Sequence, residues 1–173
     1  VITELHATDE LSPEDRARTA ALTDLAFGPA PADPAMAWAA ADETAIARAP
    51  DGRVAAMVGI VHRDGTLDGR PVRLAGIGGV ATLPGLRRRG YGRAALDRAL
   101  AAVDARGPDL TVLICDPSMQ DHYARVGFRL FAGTTWMEQH GARVVLDLEP
   151  TMIRPGRLPA PVDGDLDLGG APW

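Results

Sequence analysis

Apolar positions recur along this chain with two different spacings. Ala17, Ala21, Leu22 and Leu25 keep helical spacing, and Ser12-Pro13-Glu14-Asp15 ahead of them reads as a helix start. Serine serves as N-cap, proline takes the first helical position, and the acids sit near the positive end of the dipole. Phe27-Gly28-Pro29 stops this helix, and residues 28–37, rich in Pro and Ala, read as a loop or an irregular helical turn. Residues 54–61 and 72–80 are short apolar runs of strand type. Between them His62-Arg63-Asp64-Gly65 and Asp68-Gly69 supply turn chemistry, which predicts an antiparallel hairpin. Pro84-Gly85 breaks the second run. After Gly92, the residues Leu96, Ala99, Leu100 and Val103 follow the spacing of a helix buried on one face, ended by Gly107-Pro108.

Residues 110–115 are continuously apolar, as a strand buried on both faces would be. Residues 117–126 read as a short helix, 128–131 as a strand and 144–148 as the last good strand. No internal repeat and no linker divides the chain. The order predicts an α/β fold with a mixed sheet in one domain, residues 1–153, followed by a Pro-, Gly- and Asp-rich tail, 154–173. Composition alone makes that tail a disordered terminus kept solvated by Asp163, Asp165 and Asp167, whereas Leu166, Leu168 and Trp173 would anchor a folded one.

Composition narrows the function classes. With 46% hydrophobic residues the chain can bury a real core, and a net charge of −5 argues against general nucleic-acid binding. The single Cys115 excludes an internal disulfide, and its buried-strand setting without a cationic neighbour makes it an inert core thiol. No apolar run approaches a membrane span and no signal-peptide pattern opens the chain, so a cytoplasmic protein is expected, without membrane or nucleic-acid partners.

Against that acidic background, Arg87-Arg88-Arg89-Gly90-Tyr91-Gly92 stands where a helix begins. An isolated basic run is ordinarily a solvated turn. Here a strand ends, a proline loop follows and glycines open a helix, which aims backbone N–H groups and a positive dipole at one spot. Gly90 and Gly92 carry no side chain to hold a phosphate away, and a diphosphate is the natural occupant. Gly76-Ile77-Gly78-Gly79-Val80-Ala81 fits a dinucleotide fingerprint in letters only, because those glycines lie inside strand-like sequence. A Walker-type loop fails for want of Gly-Lys-Ser/Thr.

The same stretch resembles the arginine-x-x-glycine-x-glycine signature of the GCN5-related N-acetyltransferases, and "HYARVGF" at 122–128 resembles that family's downstream Tyr-x-x-x-Gly-Phe. The resemblance implies a twisted sheet splayed near its middle with helices on both faces and acetyl-coenzyme A lying in the cleft. Val80 and Thr82 would pair with the pantetheine arm, Arg87, Arg88, Arg89, Gly90, Tyr91 and Gly92 would hold the phosphates, and Tyr123 would serve the leaving thiolate as acid. Outside that context Tyr123 reads as a core tyrosine. The implied activity is direct acetyl transfer to the primary amine of a small molecule, with no metal; a homodimer is compatible with the family. The general base stays open among Asp116, His62, Glu138 and the Trp173 carboxylate, although Asp116 also reads as a cap and His62 as a turn residue.

A closer likeness, over nearly the whole chain, is to mycobacterial aminoglycoside 2′-N-acetyltransferases. Their hairpin is similar to residues 59–80, and they end on a Trp whose carboxylate helps bind the cationic antibiotic, as implied here for Trp173. Three acidic positions of those enzymes are occupied by Gly78, Ala171 and Ala37, which leaves Asp33 as the nearest carboxylate in its loop. Each buried ammonium of an aminoglycoside needs an anion, so the three replacements count against that acceptor, and aminoglycoside acetylation with an altered acidic pocket stands as an alternative reading. A non-catalytic acyl-coenzyme A-binding module is another, kept open by Gly78.

Overall fold

A computed structural model describes residues 1–29 and 35–173. Asp33 lies outside the described residues. The fold is mixed α/β, and the chain divides into two compact units. The first comprises Val1–Ala35, Ala41–Val61 and Ile77–Ala102; the second comprises Met36–Ala40, His62–Gly76 and Val103–Trp173.

In the first unit β1 (Ile2–Ala7), β2 (Glu43–Arg48) and the first part of β3 (Val54–Leu67) form an antiparallel meander. Helix α1 (Pro13–Phe27) starts as its sequence requires, with Ser12 Oγ accepting from Asp15 N–H at 3.1 Å and Pro13 at the first position. Gly28, at φ 86°, ends it by donating its N–H to the Asp24 carbonyl. Leu11, Leu22, Ile46, Val54 and Ala81 form a buried cluster there, with Met57 and Leu83 packed against it. Arg48 ties the meander to the start of α1, donating to both carboxylate oxygens of Glu4 and to both of Asp15 at 2.8–3.0 Å.

The hairpin turn is displaced from the expected position. His62, Arg63, Asp64 and Gly65 do not turn: β3 continues through them to Leu67, and only Asp68-Gly69 reverse the chain into β4 (Arg70–Thr82). Both carry positive φ, 49° and 74°, as a tight twisted hairpin demands. The extension is held by pairing, since Thr66 and Leu67 lie opposite Asp167 and Leu166 of β10 (Asp165–Asp167). Gly79 interrupts β4 at φ 58°, a left-handed residue inside a strand.

Helix α2 (Tyr91–Arg106) follows the predicted spacing, with Leu96, Ala99 and Val103 buried. In the second unit β5 (Leu110–Ile114) runs parallel to the start of β4 and antiparallel to β9 (Thr151–Pro155). The short helix expected at 117–126 is a 3₁₀ turn, Pro117–Met119, followed by α3 (Gln120–Ala124). The strand expected at 128–131 shrinks to β6 (Arg129–Leu130), beside β9. The strand expected at 144–148 is instead β8 (Ala142–Val145), hairpin partner of β7 (Thr134–Gln139). β10 lies between β3 and β7, parallel to β7, so this unit's strands are mixed in direction. From β10 onward the chain is pinned residue by residue. Leu168 donates to the Trp136 carbonyl, Gly170 accepts from Glu138 N–H, and Pro172 accepts from Ala39 N–H. Leu166 and Leu168 are buried, as is the indole of Trp173. Among the described residues no helix is long and apolar enough to cross a membrane.

Candidate active site

In the first unit, alternation along β4 buries Ala81 and leaves Val80 and Thr82 half-buried on the other face. Leu83 turns the chain away, its N–H bound to the Ala55 carbonyl at 2.9 Å, and the 3₁₀ turn Pro84–Leu86 follows. Arg87 accompanies the turn with a long contact from Nε to the Thr82 carbonyl at 3.4 Å. Arg88 then adopts φ 61° and Gly90 φ 86°. A left-handed arginine is strained, and such residues cluster at ligand clamps.

The Gly90 carbonyl accepts the first helical bond of α2, from Ala94 N–H at 2.9 Å. The N–H groups of Tyr91, Gly92 and Arg93 therefore precede the first available helical acceptor and point out of the helix end. A β-carbon on Gly92 would stand 2.7 Å from Thr82 Oγ1, so glycine lets the helix start close against β4. Arg87, Arg88 and Arg89 are all exposed around this seat. The structure thus brings Val80, Thr82 and residues 87–92 together in one strand–loop–helix.

The remaining sequence candidates belong to the second unit. Tyr123, on α3, is 6% exposed and meets Phe128 edge to face at 6.1 Å between ring centres. Burial, with a smaller contribution from the nearby Cys115, pushes the phenol up to about 12, so it stays protonated throughout the neutral range. Cys115 is buried against Met152, with Sγ 3.7 Å from Sδ, and burial pushes its thiol up as well. That is the opposite of an activated nucleophile. Asp116 caps the Pro117–Met119 turn by accepting from Ser118 N–H at 2.8 Å, and the hydroxyl of Ser118 first, then that N–H, hold its carboxyl below the usual range. His62 is half-buried on β3, and Glu138 is exposed on β7.

Trp173 is held face and edge. Its Nε1 donates to the Val112 carbonyl at 3.3 Å, where the β4–β5 ladder ends at Gly76 and Val112. Its ring covers Gly76, and the Arg63 guanidinium stands 5.6 Å from its centre. Arg63 also donates from Nη1 to the Ala171 carbonyl at 2.6 Å. Gln139 clamps the neighbouring segment by bonding both the N–H and the carbonyl of Ala37, at 2.8 and 2.9 Å. Sequence reasoning missed Arg63, which sits in a tetrapeptide that reads as a turn. The period-two alternation Val61, Arg63, Gly65, Leu67 could have placed it on the inward face of a longer strand.

The strand passes through a proline turn into a glycine-opened, arginine-ringed helix start, which gathers backbone N–H groups and positive charge at one spot. The sequence matches the acetyltransferase (GNAT) domain over residues 8–131, and the chain belongs to that family. Solved structures share its fold. Escherichia coli ElaA matches with a TM-score of 0.64 at 19% identity, over 88% of this chain and 98% of that one. An acyl-CoA N-acyltransferase from Pseudomonas aeruginosa matches at 0.62 and 19%, over 88% and 98%. The GNAT-family N-acetyltransferase YhbS from Escherichia coli, solved in complex with CoA, matches at 0.63 and 16%, over 96% and 88%. No curated protein sequence matches the chain.

Proposed function

We propose that this protein is an acetyl-CoA-dependent N-acetyltransferase that acetylates the primary amine of a small molecule by direct transfer. The observation that carries the reading is the loop from Arg87 to Gly92, with Arg88 and Gly90 in left-handed conformation ahead of the open end of α2. Its N–H groups and arginines suit a pyrophosphate, and the glycine at 92 leaves the strand–helix junction tight. Family membership, and the CoA bound to one similar structure, support acyl-CoA as the cosubstrate.

In this reading the neutral amine attacks the thioester carbonyl carbon, the carbon–sulfur bond breaks, and the surplus proton of the amine ends on the departing sulfur. Tyr123 donates a hydrogen bond to that sulfur. A phenol held near 12 keeps its own proton, so it stabilises the thiolate without a complete transfer. The inert setting of Cys115 supports direct transfer over an acetyl-cysteine route.

The likeness to aminoglycoside 2′-N-acetyltransferases supports a narrower second reading, in which the acceptor is a polyamine antibiotic and Trp173 helps bind it. What supports it is that the tail is folded, with Leu166, Leu168 and Trp173 buried. Thiol release from acetyl-CoA with a panel of amines tests both, with aminoglycosides bearing a 2′-amino or a 2′-hydroxyl group in the panel. Calorimetry with CoA runs alongside. Turnover restricted to 2′-amino compounds supports the second reading. CoA binding without turnover of any amine leaves only an acyl-CoA-binding module. Gly90→Ala should weaken CoA about tenfold, because an L side chain at that φ shifts the N–H groups it organises.

A further inference from the structure

In the second unit, one half-buried arginine has no counter-ion among the described residues. Arg154 is partly buried and pairs with Asp104 at 2.6 and 2.9 Å. Arg63 is likewise half-buried, yet no described carboxylate reaches it: its partners are the Ala171 carbonyl and the face of Trp173. A guanidinium withdrawn from water without an anion is costly, and its cost is recovered when an anion arrives.

The guanidinium is also fixed in place. A β-carbon on Gly170 would stand 2.7 Å from Arg63 Nη1 and 3.0 Å from Cζ, so glycine makes the room it occupies. The Ala171 carbonyl holds Nη1 and the guanidinium lies over the Trp173 ring, while Nε and Nη2 have no hydrogen-bond acceptor among the described residues. Gly170 and Pro172 are themselves tied to Glu138 and Ala39. A planar, immobilised fork with free donors beside an indole matches a carboxylate, which it can grip with two parallel bonds.

We propose that Arg63 is an acceptor-specificity residue: the amine acetylated by this protein also carries a carboxylate, which Arg63 binds beside Trp173. The inference rests on the acetyltransferase reading above and narrows its substrate class to amino acids in the broad sense. The same charge disfavours polycationic acceptors.

The test uses ω-amino acids of increasing chain length, each paired with its ω-amino amide, so that the amine is nearly constant and only the carboxylate differs. The wild-type protein should favour the acid at the best length by about tenfold in kcat/KM, expressed through KM. Arg63→Gln should bring the acid-to-amide ratio to about one, and Arg63→Lys should restore part of it. A ratio near one in the wild type, or a preference that survives Arg63→Gln, overturns the proposal.

A binding arm separates this inference from the reading beneath it. The indole N–H resonance of Trp173, assigned with Trp173→Phe, is followed while the N-acetylated acids and amides are titrated. A shift produced by acids only, and lost in Arg63→Gln, supports the carboxylate site even if no amine turns over, in which case acetyl transfer alone falls. Turnover without discrimination, or no acid-specific shift, overturns the Arg63 assignment and leaves acetyl transfer standing wherever turnover is seen.

Discussion

The indole of Trp173 lies where a side chain on Gly76 would have to go: a β-carbon added there would stand 2.5 Å from Trp173 Nε1 and nearer still to the ring carbons. Gly76 cannot retreat, because it is paired with Val112 at the end of the β4–β5 ladder. Gly76→Ala should therefore expel the indole, cost about 1–3 kcal/mol of stability and red-shift the tryptophan emission. Trp173→Phe, which keeps a ring but loses the bond to the Val112 carbonyl, should cost about 1 kcal/mol for that bond plus a smaller packing loss. Denaturant midpoints and emission maxima read both. An unchanged emission in Gly76→Ala would mean that the ring does not cover that glycine.

Tyr123→Phe should lower kcat by about a hundredfold with little change in the KM for acetyl-CoA, if its phenol serves the leaving sulfur. The pH profile adds a check. With the phenol pushed up to about 12, kcat should show no alkaline fall through pH 10, where an ordinary tyrosine would ionise. The same shift has a stability consequence. The folded state resists ionisation more than the unfolded one, so the contribution is complete below pH 10 and lost as pH climbs toward 12. Tyr123→Phe should remove that alkaline loss.

Much of this architecture is legible in the sequence where the signal is local. Ser12, Pro13 and Gly28 bound α1 through their own backbone preferences, and the arginine–glycine run announces the loop before α2 because each glycine acts on its own neighbours. Strands β1, β2 and β10 are not legible. They are short and mixed in composition, and β10 has only three residues, held by partners in β3 and β7 far away in the chain. The same distant pairing carries β3 through His62 to Gly65, a tetrapeptide with the composition of a turn. Arg63 was hidden for that reason: its importance depends on Gly170, Ala171 and Trp173 returning from the other end.

Acid sensitivity should centre on Arg48. Its hydrogen bonds, acting first, hold Glu4 down to about 2 and keep Asp15 below its ordinary value. Carboxylates with lowered folded values stabilise the protein above their unfolded range and lose that contribution as pH falls. The window here runs from about pH 4.5 down toward 2. Glu4 keeps 32% of its side chain in water, and screening reduces its share to roughly 1–2 kcal/mol. Arg48→Met should destabilise the protein by about 2–3 kcal/mol at pH 7, since it leaves two carboxylates facing each other, and should flatten the fall in stability over that window. Thermal melts across the acid range measure both effects. A wild-type steepness retained in Arg48→Met would assign the acid sensitivity to other groups.

Thr111 is the reverse case, a polar group whose removal should help. It is fully buried on β5, paired across the ladders with Ala75 and Arg154, and its hydroxyl has no hydrogen-bond partner among the described residues. The buried hydroxyls of Thr135 and Thr151, by contrast, bond each other at 2.8 Å. An unsatisfied buried hydroxyl costs about 1–3 kcal/mol relative to a bonded one, and valine fills nearly the same space with a methyl group suited to a strand. Thr111→Val should therefore raise stability by about 1 kcal/mol, whereas Thr135→Val should lower it by a similar amount because Thr151 loses its partner. Opposite signs from one chemical change, read by denaturant unfolding, separate the orphaned hydroxyl from the paired one. A loss of stability in Thr111→Val would mean that its hydroxyl is bonded after all.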